Sequence, residues 1–222
     1  MDPSTPSPTG SPATNTPAAS KPAMNSKGIG AAALFLIGGI LGLVSAFSAW
    51  WAYSGGGYTI SFLPGSNTHE SGGGMSATTS YSSLGLGTVG NLYEATLGLA
   101  IAGGVLLLIA GLIGFVAAVR SPSGRFRGAL MGLGIVGILL LIVAVAMVPA
   151  AQPWAIKQGS NSACTGYNGT TPCSGFWGSA SQAGTSYTFG AAVGWYLALV
   201  GLILGIVAFV LWRSGNRSPR SS

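Results

Sequence analysis

The stretch TLGLAIAGGVLLLIAGLIGFVAAV, residues 96–119, decides the fold. It contains no Asp, Glu, Lys, Arg, His or Pro. A helix needs ~20 such residues to cross a hydrocarbon core of about 30 Å, and a soluble core helix is neither so long nor so uniformly apolar. Three further stretches have the same character, from about Gly28 to Trp50, from about Ala129 to Val148 and from about Phe189 to Trp212. The chain reads as an all-α membrane protein, a left-handed bundle of four transmembrane helices.

Composition points the same way. Nine Lys and Arg plus three Asp and Glu are all the charge in 222 residues, where an ordinary soluble domain carries roughly a quarter charged residues. Those nine cations are scattered, whereas a nucleic-acid footprint clusters them on one face. Composition thus excludes a soluble enzyme, a nucleic-acid binder and a wholly disordered chain. No span carries an internal Asp, Glu or His, the groups that ion-coupled transporters and proton relays place near the midplane. A solitary transporter or membrane enzyme is disfavoured accordingly. Nothing points to a cofactor, a metal or a small-molecule substrate.

The cations also orient the bundle. Lys21 and Lys27 precede the first span, Arg120, Arg125 and Arg127 separate the second from the third, and Arg213, Arg217 and Arg220 follow the fourth. Only Lys157 lies on the other side, so the positive-inside rule places both termini in the cytoplasm of a multi-pass cell-membrane protein. Trp50, Trp51, Trp154 and Trp195, with Tyr53 and Tyr196, then form an outer interfacial belt, and Trp212 marks the inner boundary. A competing reading takes the first span as a signal peptide cleaved near Ser45–Ala49, but the apolar run exceeds the usual h-region.

Three parts follow. Residues 1–27 form a Pro/Ser/Thr-rich cytoplasmic tail, expected to be disordered because it has too little apolar surface to bury. Residues 28–213 form the helical domain, with outer loops at about 51–92 and 150–187, and 214–222 form a basic cytoplasmic tail. In the first loop, Tyr58–Leu63 ends at Pro64-Gly65 and reads as a strand; Ala77–Leu84 is a second candidate. A small β-rich outer layer is expected.

Cys164 and Cys173 are the only cysteines, and on the outer side they favour a disulfide. Asn168-Gly169 lies midway between them and signals a two-residue hairpin turn that would pair Cys164 with Cys173 across a ladder. Asn168-Gly-Thr170 is also a glycosylation sequon, as is Asn216-Arg-Ser218 on the cytoplasmic side.

Glycines four residues apart clear a helix face for close approach. Such pairs are Gly38 with Gly42, Gly128 with Gly132, Gly190 with Gly194 and Gly201 with Gly205, all expected at helix-packing contacts. Gly132, Gly134 and Gly137 spell a dinucleotide-binding fingerprint, but no strand precedes it, so packing is the better reading. His69 and Glu70 read as a solvated pair in a Gly/Ser loop. Glu94 reads as a cap of the second span within reach of Lys157.

Four spans, cytoplasmic termini, two outer loops and a Trp pair closing the first span resemble the claudin-type and other tetraspan junction or scaffold proteins. The resemblance covers about residues 28–213 and is one of arrangement. The first loop lacks the Gly-Leu-Trp-Cys-Cys type signature of claudins, and Cys173 is followed by Ser174, where tetraspanins carry Cys-Cys-Gly. It implies a non-enzymatic structural or interaction protein that presents a disulfide-stapled outer layer to membrane-protein partners or to itself. The second expectation is an accessory subunit of a channel or transporter complex.

Overall fold

The computed structural model describes residues 26–65, 67–120, 124–159, 164–166 and 168–215. The expectations for residues 1–25 and for the Asn216 sequon lie outside these. Four helices are each long and apolar enough to cross a membrane. They are α1 (Ser26–Ala46), α2 (Gly87–Arg120), α3 (Gly124–Gly159) and α4 (Val193–Gly215). The segments joining α1 to α2 and α3 to α4 merge into one antiparallel sheet of seven strands: β1 (Trp51–Gly55), β2 (Tyr58–Phe62), β3 (Asn67–Gly72), β4 (Met75–Ser80), β5 (Asn168–Gly169), β6 (Gly178–Gln182) and β7 (Thr185–Ala191). Its order is β4-β3-β2-β1-β7-β6-β5, so the two segments meet where β1 pairs with β7.

Helix lengths explain how sheet and bundle join. The helices α1 and α4 have 21 and 23 residues, α2 and α3 have 34 and 36. At 1.5 Å per residue the short pair span about 33 Å and the long pair about 52 Å. Where α1 and α4 stop, their places are taken by β1 and β7, and the ends of α2 and α3 stand beneath the sheet. Val89, Tyr93, Ala155 and Ile156 from those ends share one buried core with Trp50, Trp51, Phe62, Tyr81, Phe176 and Phe189. The third helix therefore continues well past Val148, through Pro149 and Pro153. Pro149 has no N–H for the carbonyl of Val145, and the indole Nε1 of Trp195 donates to that carbonyl instead, at 3.0 Å.

Glycine sets the helix crossings. Gly38 of α1 meets Gly201 of α4 so closely that a Cβ on either would lie 2.8 or 2.7 Å from the other's carbonyl oxygen. Gly39 meets Gly104 in the same way, and Gly103 meets Gly137, which locks α1 to α2 and α2 to α3. Gly42 and Gly205 pack at the same crossings, against Gly104 and against Ile138 and Leu107.

Other glycine pairs fall elsewhere. Among the described residues, no atom lies within 4 Å of a Cβ built on Gly128 or Gly132, so neither sits at a close helix crossing there. Gly190 lies in β7 rather than in a helix, because α4 starts at Val193 and not at Phe189. Gly194 does sit at a close contact, but with the carbonyls of Ser48 and Ala49.

Three two-residue turns close the hairpins β1–β2, β3–β4 and β6–β7. Their central residues all have positive φ: Gly56 and Gly57 (61° and 83°), Gly73 and Gly74 (57° and 80°), Ala183 and Gly184 (48° and 80°). That is the type I′ geometry, whose hand matches strand twist and which favours Asn-Gly or Gly-Gly. Ala183 is the one described non-glycine residue in this region, and an L side chain there costs ~1 kcal/mol. Ala183→Asn is expected to raise the midpoint of chemical unfolding of the sheet by a corresponding amount, read by tryptophan fluorescence.

Candidate interaction surface

The sheet has two unlike faces, and strand register assigns every side chain to one of them. Trp51, Phe62 and Phe189 occupy the face turned to α2 and α3, together with Tyr53, Ile60, Thr68 and Ala180. All the buried strand residues lie on this side. Trp51 is its centre. It is 1% exposed, meets Phe62 edge-on at 4.9 Å and donates from Nε1 to the carbonyl of Phe176 at 2.8 Å. One indole thus joins the two connecting segments. The neighbouring Trp50 donates to the carbonyl of Ser45 at 2.7 Å, which satisfies a carbonyl at the end of α1.

The expected aromatic belt divides accordingly. Trp154 is 58% exposed, Tyr196 is exposed and Trp195 is half-buried. Trp50 and Trp51 are instead buried under the sheet, and Trp212 is buried within the bundle. Because an indole is large and apolar with one donor, it serves a wet interface or a dry core equally well, and only tertiary contacts distinguish the two.

A group of hydroxyls and an amide sits at the junction of sheet and helices. Tyr81 donates to the carbonyl of Leu63 at 2.9 Å, and Tyr93 donates to Oε1 of Gln152 at 2.9 Å. The rings of Tyr81 and Tyr93 stack at 5.7 Å. Burial pushes the Tyr81 phenol far above its ordinary range, an effect its hydrogen bond to Leu63 only partly offsets. Since the folded value exceeds that of an unfolded tyrosine, ~10, the neutral phenol's contribution is complete below that pH. It is lost as pH rises toward the folded value. In an alkaline absorbance titration, Tyr81 is expected to ionise only with unfolding, so Tyr81→Phe removes one late-titrating phenol and lessens the alkaline loss of stability.

The outer face is different in kind. It carries Ala52, Ser54, Thr59, Ser61, His69, Ser71, Ser76, Thr78, Ser179, Ser181, Ser186 and Thr188, none of them buried. His69 and Glu70 lie in β3, not in a loop, and alternation sends them to opposite faces. His69 is within hydrogen-bond distance of Thr78 and Ser76, at 3.4 and 3.5 Å. Glu94 lies two turns inside α2 because that helix begins at Gly87; it does not cap the helix. It lines a shallow pocket with Tyr81, Ser82, Gly90 and Asn91.

Cys164 and Cys173 form a disulfide with Cα atoms 5.6 Å apart. The bond closes a loop, not a hairpin. Asn168 and Gly169, expected to be its turn, instead make the edge strand β5 and pair with Ser181 and Ala180. Cys173 sits in a turn where the N–H groups of Ser174 and Gly175 bond the carbonyl of Thr171. The side chain of Asn168 is exposed.

Comparison with models of known protein families and with curated proteins finds no match for the chain.

Proposed function

We propose that the chain is a multi-pass membrane protein, with both termini cytoplasmic and the sheet outside, that acts as a non-enzymatic scaffold or adhesion-like protein of the tetraspan, claudin-like kind. One observation carries this reading. The two connecting segments do not hang as separate loops but join, at β1–β7 and through Trp51, into a single preformed surface. Preorganisation of that sort reduces the ordering cost of binding a partner. The distribution of cations supports the orientation, since Lys27, Arg120, Arg125, Arg127 and Arg213 belong to the helix ends away from the sheet, and Lys21, Arg217 and Arg220 adjoin those ends in the sequence.

The second reading, an accessory subunit of a larger membrane complex, is favoured by the open face of α3. There a Cβ built on Gly128 or Gly132 would meet no atom within 4 Å among the described residues, and Ile135, Val136 and Leu139 are exposed. Native mass after gentle extraction from the protein's own membrane separates the two. A monomer or homo-oligomer, with associations lost on replacing Cys164 and Cys173 by Ser, supports the scaffold. A heteromer that dissociates on Gly132→Leu supports the subunit. If none of these changes alters association, both readings fail.

A further inference from the structure

We propose that the outer face of the sheet is a binding surface for an uncharged polysaccharide chain. The inference rests on the reading above in one respect, that the sheet lies outside the membrane. Its basis is a row that register alone reveals. Ser76, Ser71, Thr59, Ser54, Thr188 and Ser179 are successive partners across β4, β3, β2, β1, β7 and β6. At ~4.8 Å per strand they form a straight line of hydroxyls about 24 Å long. Ser54 and Thr59 are already linked along it at 3.0 Å. A second row, Thr78, His69 and Ser61, runs beside the first.

At the end of that second row the chain changes chemistry. Ala52 and Gly190 are partners there, and the indole of Trp177 lies on Gly190, with Cδ1 2.5 Å from where a Cβ would be. Trp177 is 50% exposed and is held edge-on by Phe176 and Trp195, at 4.4 and 5.6 Å. A broad aromatic surface is therefore fixed beside a long polar one.

The chemistry selects the ligand class. Each hydroxyl both donates and accepts, so the complementary ligand carries many groups that also do both, which describes sugar hydroxyls. No carboxylate, lysine or arginine occupies this face among the described residues, where His69 is the one ionisable side chain, so it lacks the fixed Lys and Arg charges that favour a strongly anionic polymer. The indole offers an apolar platform suited to the C–H face of a pyranose ring. Individual hydroxyl contacts are weak against water, and a line spanning six strands suits a polymer that repeats the contact.

The test uses the whole protein in phosphatidylcholine nanodiscs prepared without glycoside detergent. Retention is measured on columns of cellulose and amylose, with heparin as the anionic counterpart. The expected result is retention on at least one neutral polymer and not on heparin, weakened at least tenfold by Trp177→Ala and by the isosteric pair Thr59→Val with Thr188→Val. Trp154→Ala, which removes an exposed indole outside the sheet, should change nothing. No retention on either neutral polymer, retention on heparin, or indifference to both sets of changes overturns the proposal. Labelling of Ser71→Cys in intact cells with a membrane-impermeant maleimide tells the two failures apart. Without labelling, the outside placement of the sheet fails and the polysaccharide proposal with it; labelling without retention defeats the polysaccharide proposal alone.

Discussion

Replacing Trp51 with Ala is expected to melt the sheet while leaving the four helices folded. The change opens a cavity among Phe62, Phe189 and the ends of α2 and α3, and it leaves the carbonyl of Phe176 without its indole donor. Truncation of a buried tryptophan costs about 3–5 kcal/mol, and an orphaned buried carbonyl adds ~1 kcal/mol or more. A layer of seven short strands has little reserve against such a loss, because net stabilities of whole domains are only about 5–15 kcal/mol. The measurement is limited proteolysis with fragment mapping. Cleavage should appear between residues 47 and 86 and between 160 and 192, with helical circular dichroism preserved. Trp51→Phe retains most of the packing and should fall between the wild type and Ala. Equal protease resistance in the wild type and Trp51→Ala would remove Trp51 from the centre of the junction.

The second large effect belongs to the bundle. Gly39→Ile should abolish recovery of folded protein, whereas Gly132→Ile should be tolerated. A Cβ at Gly39 would lie 2.7 Å from the carbonyl oxygen of Gly104 and 2.8 Å from the backbone nitrogen of Leu108. Those neighbours are backbone atoms and cannot rotate away. Overpacking by even a methylene or two costs about 1–3 kcal/mol, and a branched side chain against a helix backbone exceeds that by separating α1 from α2. Gly132 has open space around it, so the same substitution adds only exposed apolar area. Yields of monodisperse protein from parallel preparations of the two variants give the answer, and similar yields would contradict the crossing described for α1 and α2.

Much of the bundle was legible in the chain because the apolar cores of the spans are long and uncharged. Their ends were less so. Glu94, Pro149, Pro153 and Lys157 each resemble a stop signal, yet α2 and α3 run past all of them. At Pro149 the freed carbonyl of Val145 is taken up by Trp195, fifty residues further along the chain from Val145, and no local pattern encodes that. The glycine patterns singled out Gly38, Gly42, Gly201, Gly205 and, through the fingerprint-like run, Gly137, but passed over Gly39, Gly103 and Gly104. In the adjacent pair Gly103-Gly104, one residue faces α3 and the other α1, so a search for one clear face overlooks both.

The sheet was legible in β2 and in part of β4, where the candidate Ala77–Leu84 covers Ala77–Ser80. Tyr58–Leu63 contains β-branched and aromatic residues and overlaps β2 almost completely. The segments GSASQ of β6 and NTHESG of β3 carry small or polar residues that suit a loop equally well. They are strands because neighbours with stronger preferences pair with them. Asn168-Gly169 shows the converse, since a strong local turn signal yields to pairing with β6. The hydroxyl rows were invisible for a related reason. Their members come from six strands, and only register places them side by side.

The joints between bundle and sheet determine how motion passes through the molecule. The N–H of Trp50 bonds Phe62, the N–H of Ala192 bonds Trp50 and the N–H of Gly194 bonds Ala49, at 2.9, 3.0 and 2.7 Å. The two central strands thus continue α1 and α4 with almost no slack. Sliding α1 against α4 along their axes would have to shear the β1–β7 register, breaking its hydrogen bonds together instead of one at a time. Among the described residues, the strands at the margins, β4 and β5, have no such backbone bond to a helix. Mechanically, the protein is a stiff central column with compliant margins, and a pull applied at either margin would peel strands away before it moved a helix.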